Sequence, residues 1–271
     1  MSIAPSSKRP KNDRALLFYR DVLGLERLHY GLWLEDEDLT MENLKTAQLR
    51  YEDLLIDAIP EGAKSILDVG CGSGELCLRL KEKGYDVEGL SPDVNQQKMF
   101  ADKVGCGFQF TRFEEFEPPR QYDCVIMSES CQYIPLSCLF KVARKTLKPG
   151  GRLILCDYFV TDQNAGILSK SGHDYTKFMD TATGSGLKII EQRDITKEAA
   201  KTLDIAMLWA DKILLGADIL TTKVRAKHPK AAGFVKWLFR KKIKKAFDQR
   251  PLLDSDKFCA AKRYEFFVFQ S

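Results

Sequence analysis

The segment Ile66-Leu67-Asp68-Val69-Gly70-Cys71-Gly72-Ser73-Gly74-Glu75 constrains the fold more than any other stretch of this chain. A short apolar run enters a turn with glycine at every second position, and a helical pattern (Leu76, Leu78, Leu80) follows at once. A buried strand can pass so abruptly into a helix only if the turn residues reach backbone conformations that a Cβ disfavours. The same turn leaves bare backbone and a helix N-terminus beyond the carboxyl end of the strand, where ligands of α/β sheets bind. The segment therefore predicts a βα unit with a ligand site at its turn.

The pattern around it repeats. Strands are expected at 65–69, 86–90, 107–111, 122–127, 152–158, 187–193 and 264–269. Helices are expected at 74–84, 92–104, 136–147 and 174–183, with Lys148-Pro149-Gly150-Gly151 ending the third of these. Regular alternation at this spacing implies an α/β fold: a doubly wound, mostly parallel, seven-stranded sheet of Rossmann type, covered on both faces. Upstream, 1–13 reads as a polar tail and Arg14–Leu23 as a helix. A second helix is expected from an N-cap at Thr40 to about Ile59. About 70 residues separate the last two strands, far more than a βαβ connection needs. The expected organisation is an N-terminal helical cap (1–60), a ligand-binding domain (61–195 and 259–271) and a helical lid insertion (196–258).

Two features narrow the ligand. The glycines are spaced G-C-G-S-G, so neither the dinucleotide fingerprint nor the P-loop is present. An acid, Asp68, precedes the first glycine, which suits a cationic or zwitterionic ligand better than a pyrophosphate.

Leu67 to Gly74 resembles the first motif of class I S-adenosylmethionine-dependent methyltransferases, and Lys148-Pro149-Gly150-Gly151 resembles the turn before their fifth strand. His29-Tyr30-Gly31-Leu32-Trp33 resembles the H-Y-G-x-W element of a small-molecule branch that includes tocopherol, sterol, glycine-derivative and cyclopropane-forming methyltransferases. The resemblance implies S-adenosylmethionine as cofactor, with S-adenosylhomocysteine as product. It implies cofactor contacts from Tyr30, Trp33, Asp68, Gly70, Cys71, Gly72 and Gly74. Ser91 stands where most of the class has a ribose-binding acid, and Gln96 follows it by five residues, as in that branch. Arg112, Phe113 and Glu114 occupy the adenine slot, and Ser128 and Glu129 the far wall of the cofactor pocket. The D/N-P-P-Y/F motif is absent after the fourth strand, which argues against DNA adenine or glutamine as target. Gln132-Tyr133 stands where cyclopropane-forming enzymes carry a Glu-His pair, which argues against that reaction.

Methyl transfer from a sulfonium needs alignment, exclusion of water and sometimes a base. His29, Tyr30, Tyr133 and His173 are the candidate catalytic residues; Ser130, Gln132, Asp157 and Tyr158 are further candidates for the acceptor pocket. A cap or surface role for the histidines and packing for Tyr30 and Trp33 remain open alternatives, and Ser73 reads as a helix cap. No metal site is expected, because the three histidines are isolated and no cysteine pair has CxxC spacing.

Charge is unevenly distributed. The 271 residues carry 42 Lys+Arg against 38 Asp+Glu, a net +4. Residues 222–250 hold eleven basic residues and one acid, a net +10, which leaves −6 for the rest. Within them, 234–247 reads as an amphipathic helix with Val235, Leu238, Phe239, Ile243 and Phe247 on one stripe. Three roles compete: a lid helix, contact with an anionic lipid or membrane surface, or recognition of an anionic substrate or RNA. Apolar residues at 44% and charged residues at 30% suit a folded domain. No run approaches the ~18 apolar residues of a membrane span, and the polar N-terminus lacks the apolar core of a secretion signal. A cytoplasmic monomer or homodimer acting on a small molecule, with no DNA partner, is expected, with the eight cysteines as buried thiols. An RNA or protein methyltransferase docking through the basic helix, and a catalytically silent cofactor-binding subunit, are the rival readings.

Overall fold

The computed structural model describes residues 26–105, 107–227, 230, 240–241 and 248–271. The expected tail, the Arg14–Leu23 helix and the amphipathic stretch 234–247, apart from Arg240 and Lys241, lie outside the described residues.

Helix α1 (Met41–Asp57) begins where Thr40 accepts the Asn43 N–H on its side-chain oxygen, the expected N-cap. The alternating region follows as β1 (Ser65–Val69), α2 (Glu75–Glu82), β2 (Asp86–Leu90), α3 (Val94–Lys103), β3 (Phe108–Gln109), β4 (Tyr122–Ser128), α4 (Leu136–Thr146) and β5 (Leu147–Val160). Then come β6 (His173–Asp174), α5 (Tyr175–Thr183), β7 (Lys188–Asp194), α6 (Thr196–Lys227), α7 (Ser255–Ala261) and β8 (Lys262–Gln270). The strands pair in the order β3-β2-β1-β4-β5-β8-β7, with β6 added beside β5. β8 runs antiparallel to both neighbours, and the other pairings are parallel.

Three details differ from the sequence reading. The sheet has eight strands, because His173–Asp174 pairs with Phe159 and Val160 instead of remaining a turn. Lys148–Gly151 belongs to the start of β5, with Gly150 at φ +76° and its N–H on the Ser271 carbonyl. Ser73 does not cap α2. Its hydroxyl donates to the Glu26 carbonyl at 3.1 Å, tying the chain before α1 to the glycine turn.

The period-2 alternation of β4 divides the core. Cys124 and Ile126 face the side covered by α1, α2, α3, α7 and the start of α6. Val125 and Met127 face the side covered by α4 and α5. On that second side Phe140, Phe159, Phe178, Phe267 and Phe269 interlock, with Phe178 fully buried and its centroid 4.3 Å from that of Phe159. Replacing Phe178 by Ala removes the centre of this group, and a loss of about 3–5 kcal/mol in stability is expected from urea denaturation.

Candidate functional site

A cavity of about 520 Å³ opens beyond the carboxyl ends of β1, β2 and β4. Its floor is the glycine turn. Gly70 has φ +77°, and a Cβ there would lie 2.4 Å from the Ser130 Cβ, so only glycine fits. Gly72 has φ +55° and a Cβ would meet nothing within 4 Å, which leaves a bare backbone cradle. Cys71 lines the cavity by its backbone, while its thiol sulfur would lie 2.8 Å from a Cβ at Gly89.

Acids and bases converge at the end near β1 and β4. Asp68 is almost fully buried and accepts the Cys77 thiol at 3.1 Å, and burial pushes its carboxyl up to about 6. Glu129 has φ +51°, unusual for a residue with a side chain. Its Oε1 accepts the Tyr30 N–H and the Tyr264 hydroxyl, each at 2.6 Å, and burial raises its pKa too. In the same region, Glu52 collects two arginines and a histidine on one carboxylate. Arg27 Nε donates to Oε1 at 2.8 Å, Arg79 Nη1 to Oε2 at 2.7 Å, and His29 Nε2 lies 3.3 Å from Oε1. Burial opposes its ionisation, but His29 and Arg27 outweigh burial and hold Glu52 down at about 2.

The other end offers a hydroxyl and an amide, with Asp93, Arg112 and Glu114 also in the lining. Ser91 Oγ donates to Gln96 Oε1 at 2.6 Å and accepts the Asp93 N–H at 3.1 Å. This orientation leaves the Gln96 amide N–H groups available to a ligand. Phe113 is buried against Phe116, with Arg112 and Glu114 beside it at the rim. Ser128 bonds the buried Tyr51 hydroxyl at 3.1 Å. Tyr133 lines the cavity and is 77% exposed.

The lining thus brings together His29, Asp68, Gly70, Cys71, Gly72, Ser91, Gln96, Arg112, Phe113, Glu114, Ser128, Glu129 and Tyr133. Four expected site residues lie elsewhere. Trp33 is buried among Leu44, Ala47 and Ile205 and donates its indole N–H to Thr202 at 3.0 Å. Tyr30 reaches the site through its backbone N–H, and its ring packs against Tyr158, Phe258 and Tyr264. Gly74 lets α2 approach α3, since a Cβ would sit 2.6 Å from a Val104 methyl. His173 Nε2 is 2.8 Å from the Cys131 carbonyl, which can only accept. His29 is in the lining, but Nδ1 faces the Tyr30 carbonyl at 2.7 Å and Nε2 faces Glu52, so both nitrogens meet acceptors.

Arg27 and Glu52 are site residues that sequence reasoning missed. A signal existed: Leu44, Ala47, Gln48, Tyr51, Glu52, Leu55 and Ile56 form the buried stripe of α1, and two of them are polar. A polar side chain on a buried stripe needs a partner. Gln48 finds the Arg27 and His29 carbonyls, and Glu52 finds the cations. Asp157, expected at the acceptor pocket, lies outside the cavity lining; it is fully buried and accepts the Gln132 and Tyr158 N–H groups at 3.1 and 2.8 Å. Burial and the charge of Glu129 push it up to about 7.

Replacing Glu52 by Gln leaves Arg27, Arg79 and His29 around a neutral amide, and a loss of about 3–5 kcal/mol is expected at neutral pH. Because the folded pKa of Glu52 is depressed, its contribution is present above the unfolded value and fades as pH falls from about 4.5 towards 2. The stability gap between wild type and Glu52→Gln, read by urea denaturation at each pH, should narrow over that window.

The methyltransferase domain family matches residues 44–202. A 27-O-demethylrifamycin SV methyltransferase from Amycolatopsis mediterranei (strain S699) is 30% identical over 158 residues, 54% of this chain and 57% of that one. The match therefore spans little more than half of that relative's length. A putative sarcosine dimethylglycine methyltransferase from Galdieria sulphuraria superposes with TM-score 0.70 at 17% identity, covering 95% of this chain and 98% of the other. A mycolic acid cyclopropane synthase complexed with S-adenosylhomocysteine gives 0.67 at 17% identity, covering 90% of each chain. The sheet order, the glycine turn and a match over more than half of the residues agree: the chain belongs to the methyltransferase domain family, in its class I fold.

Proposed function

We propose that the chain transfers a methyl group from S-adenosylmethionine to a small-molecule acceptor, a specialised metabolite or a lipid-like compound. The observation that carries this reading is the make-up of the cavity: Arg27, Asp68 and Glu129 towards one end, Ser91, Gln96 and the Phe113 segment towards the other, and an open glycine cradle between. A zwitterionic amino acid joined to a nucleoside matches these groups in order. Asp68 and Glu129 suit its ammonium, Arg27 its carboxylate, Ser91 and Gln96 its ribose hydroxyls, and the Phe113 segment its base. When bound, the cofactor supplies an electrophilic methyl carbon on a sulfonium.

The chain's own residues then have the tasks of alignment and enclosure. Glu129 is held by Tyr30 and Tyr264, so the wall it forms is stiff. Gln132, Tyr133, Asp157 and Tyr158 form the acceptor side. Asp157 positions Gln132 through the Gln132 N–H and Nε2, and with a pKa near 7 it is the carboxyl there that can exchange a proton at neutral pH. His29 has both ring nitrogens on acceptors, the Tyr30 carbonyl and Glu52, and His173 has Nε2 on the Cys131 carbonyl. In this reading, 1–60 and 196–258 flank the 61–195 and 259–271 domain as cap and lid. The contacts of the Gly31 N–H with Thr202 Oγ1 at 2.9 Å and of the Trp33 N–H with the Glu198 carbonyl at 3.3 Å support it.

Incubation with methyl-labelled cofactor and a pool of small-molecule extracts, followed by mass spectrometry, should yield a labelled product. Absence of S-adenosylmethionine binding by calorimetry would sink the proposal. Asp68 binds a cation only when ionised, and its pKa in the folded protein is about 6. Cofactor affinity should therefore hold above pH 6 and fall roughly tenfold per unit below it, while Asp68→Asn is weaker and flat with pH. Arg27→Gln should weaken S-adenosylhomocysteine about 10–100-fold, the value of a charge-assisted hydrogen bond. The same substitution should leave binding of the decarboxylated analogue unchanged.

A further inference from the structure

Helix α6 changes character along its length. Ala199, Ala200, Leu203 and Ile205 are buried against the domain. From Leu208 to Lys227 none of the described side chains is buried, a stretch of about 30 Å at 1.5 Å per residue. A helix segment in water is expected to be polar there. Instead Leu208, Ile213, Leu214, Leu215 and Ile219 are exposed, with Leu215 at 61% and Ile219 at 63%. Leu208, Leu215 and Ile219 share one stripe at i, i+7 and i+11, while Ile213 and Leu214 point to other sides. Exposed apolar surface on this scale marks a contact face.

The charge that follows selects the partner. Lys212, Lys227, Lys230, Arg240 and Lys241 are exposed, and residues 222–250 carry a net +10 in a chain of net +4. A second copy docking face to face would bring two such segments together. An anionic bilayer offers an apolar layer and negative headgroups at the same time. No helix among the described residues is long and apolar enough to cross a membrane, so the contact is a surface one.

We infer that α6 docks on the surface of an anionic lipid bilayer through Leu208, Leu215 and Ile219, which enter the acyl boundary while the exposed Lys212 and Lys227 meet the headgroups. This contact is independent of the proposed methyl transfer. The Asp211–Arg250 pair at 2.8 Å ties this part of α6 to the turn before α7, so the exposed face is held at a set place beside the domain.

The test is co-sedimentation of the full chain with sucrose-loaded vesicles of phosphatidylcholine, with or without about 30% phosphatidylglycerol. Binding is expected to the anionic vesicles, about tenfold or more tighter than to phosphatidylcholine alone, and weaker as salt rises from about 0.05 to 0.5 M. Leu215→Glu/Ile219→Glu should lose about tenfold in vesicle affinity and keep S-adenosylhomocysteine affinity, which reports an intact fold. No sedimentation with anionic vesicles overturns the inference, as does equal binding by wild type and variant. A dimer by light scattering that the same variant dissolves also overturns it, by assigning the face to a second copy.

Discussion

The Glu129 carboxylate joins three distant parts of the chain at one oxygen. The end of β4 carries it, the segment before α1 donates the Tyr30 N–H to it, and β8 donates the Tyr264 hydroxyl. Tyr264 also reaches Tyr51 of α1, and Tyr51 reaches Ser128 and the Cys156 carbonyl. Buried polar groups of this kind are costly unless every member is satisfied. Once satisfied, they fix geometry closely, so the N-terminal segment, the two central strands and the last strand take one arrangement around the cavity. The left-handed backbone at Glu129 belongs to this constraint: strain is retained where surrounding contacts over-determine it.

Glu52 performs a related task with charge. It draws Arg27 and His29 from the segment before α1, and Arg79 from α2, onto one helix face. Removing one partner from such a buried cluster costs more than the cluster contributes as a whole, because the remaining charges are already out of water. The consequence for the site is that Arg27 and Glu52 are held together in the cavity lining with Asp68 and Glu129.

Much of the fold was legible because local patterns and tertiary burial agree. The glycine turn, the Thr40 cap and the apolar strands were read at their true places, since each depends on residues within a few positions. Ser73 was misread because its nearest competitor for a hydrogen bond is the Glu26 carbonyl, forty-seven residues away in the chain. Trp33 was placed at the site by resemblance and His173 by its residue type and its position before a helix, yet packing with Ile205 and a carbonyl at Cys131 engage them. The short strand β6 escaped notice because two residues carry no period, and only the end of β5 that runs past β4, at Phe159 and Val160, made them a strand.

The sequence by itself determined the sheet class, the glycine turn and the acid before it, because these follow from backbone sterics and the alternation of apolar residues. It also carried the separation into a basic segment and an acidic remainder. Tertiary structure alone decided which polar residues share a cavity. Glu52, Arg27, Glu129, Tyr264 and Tyr51 meet only when β1, β4, β8 and α1 come together, and hydrogen-bond partners so far apart in the chain leave no local pattern. Tertiary structure also decided that Leu208, Leu214 and Leu215 of α6 are exposed while Leu203 is buried, since burial is a property of neighbours and not of the helix that carries them.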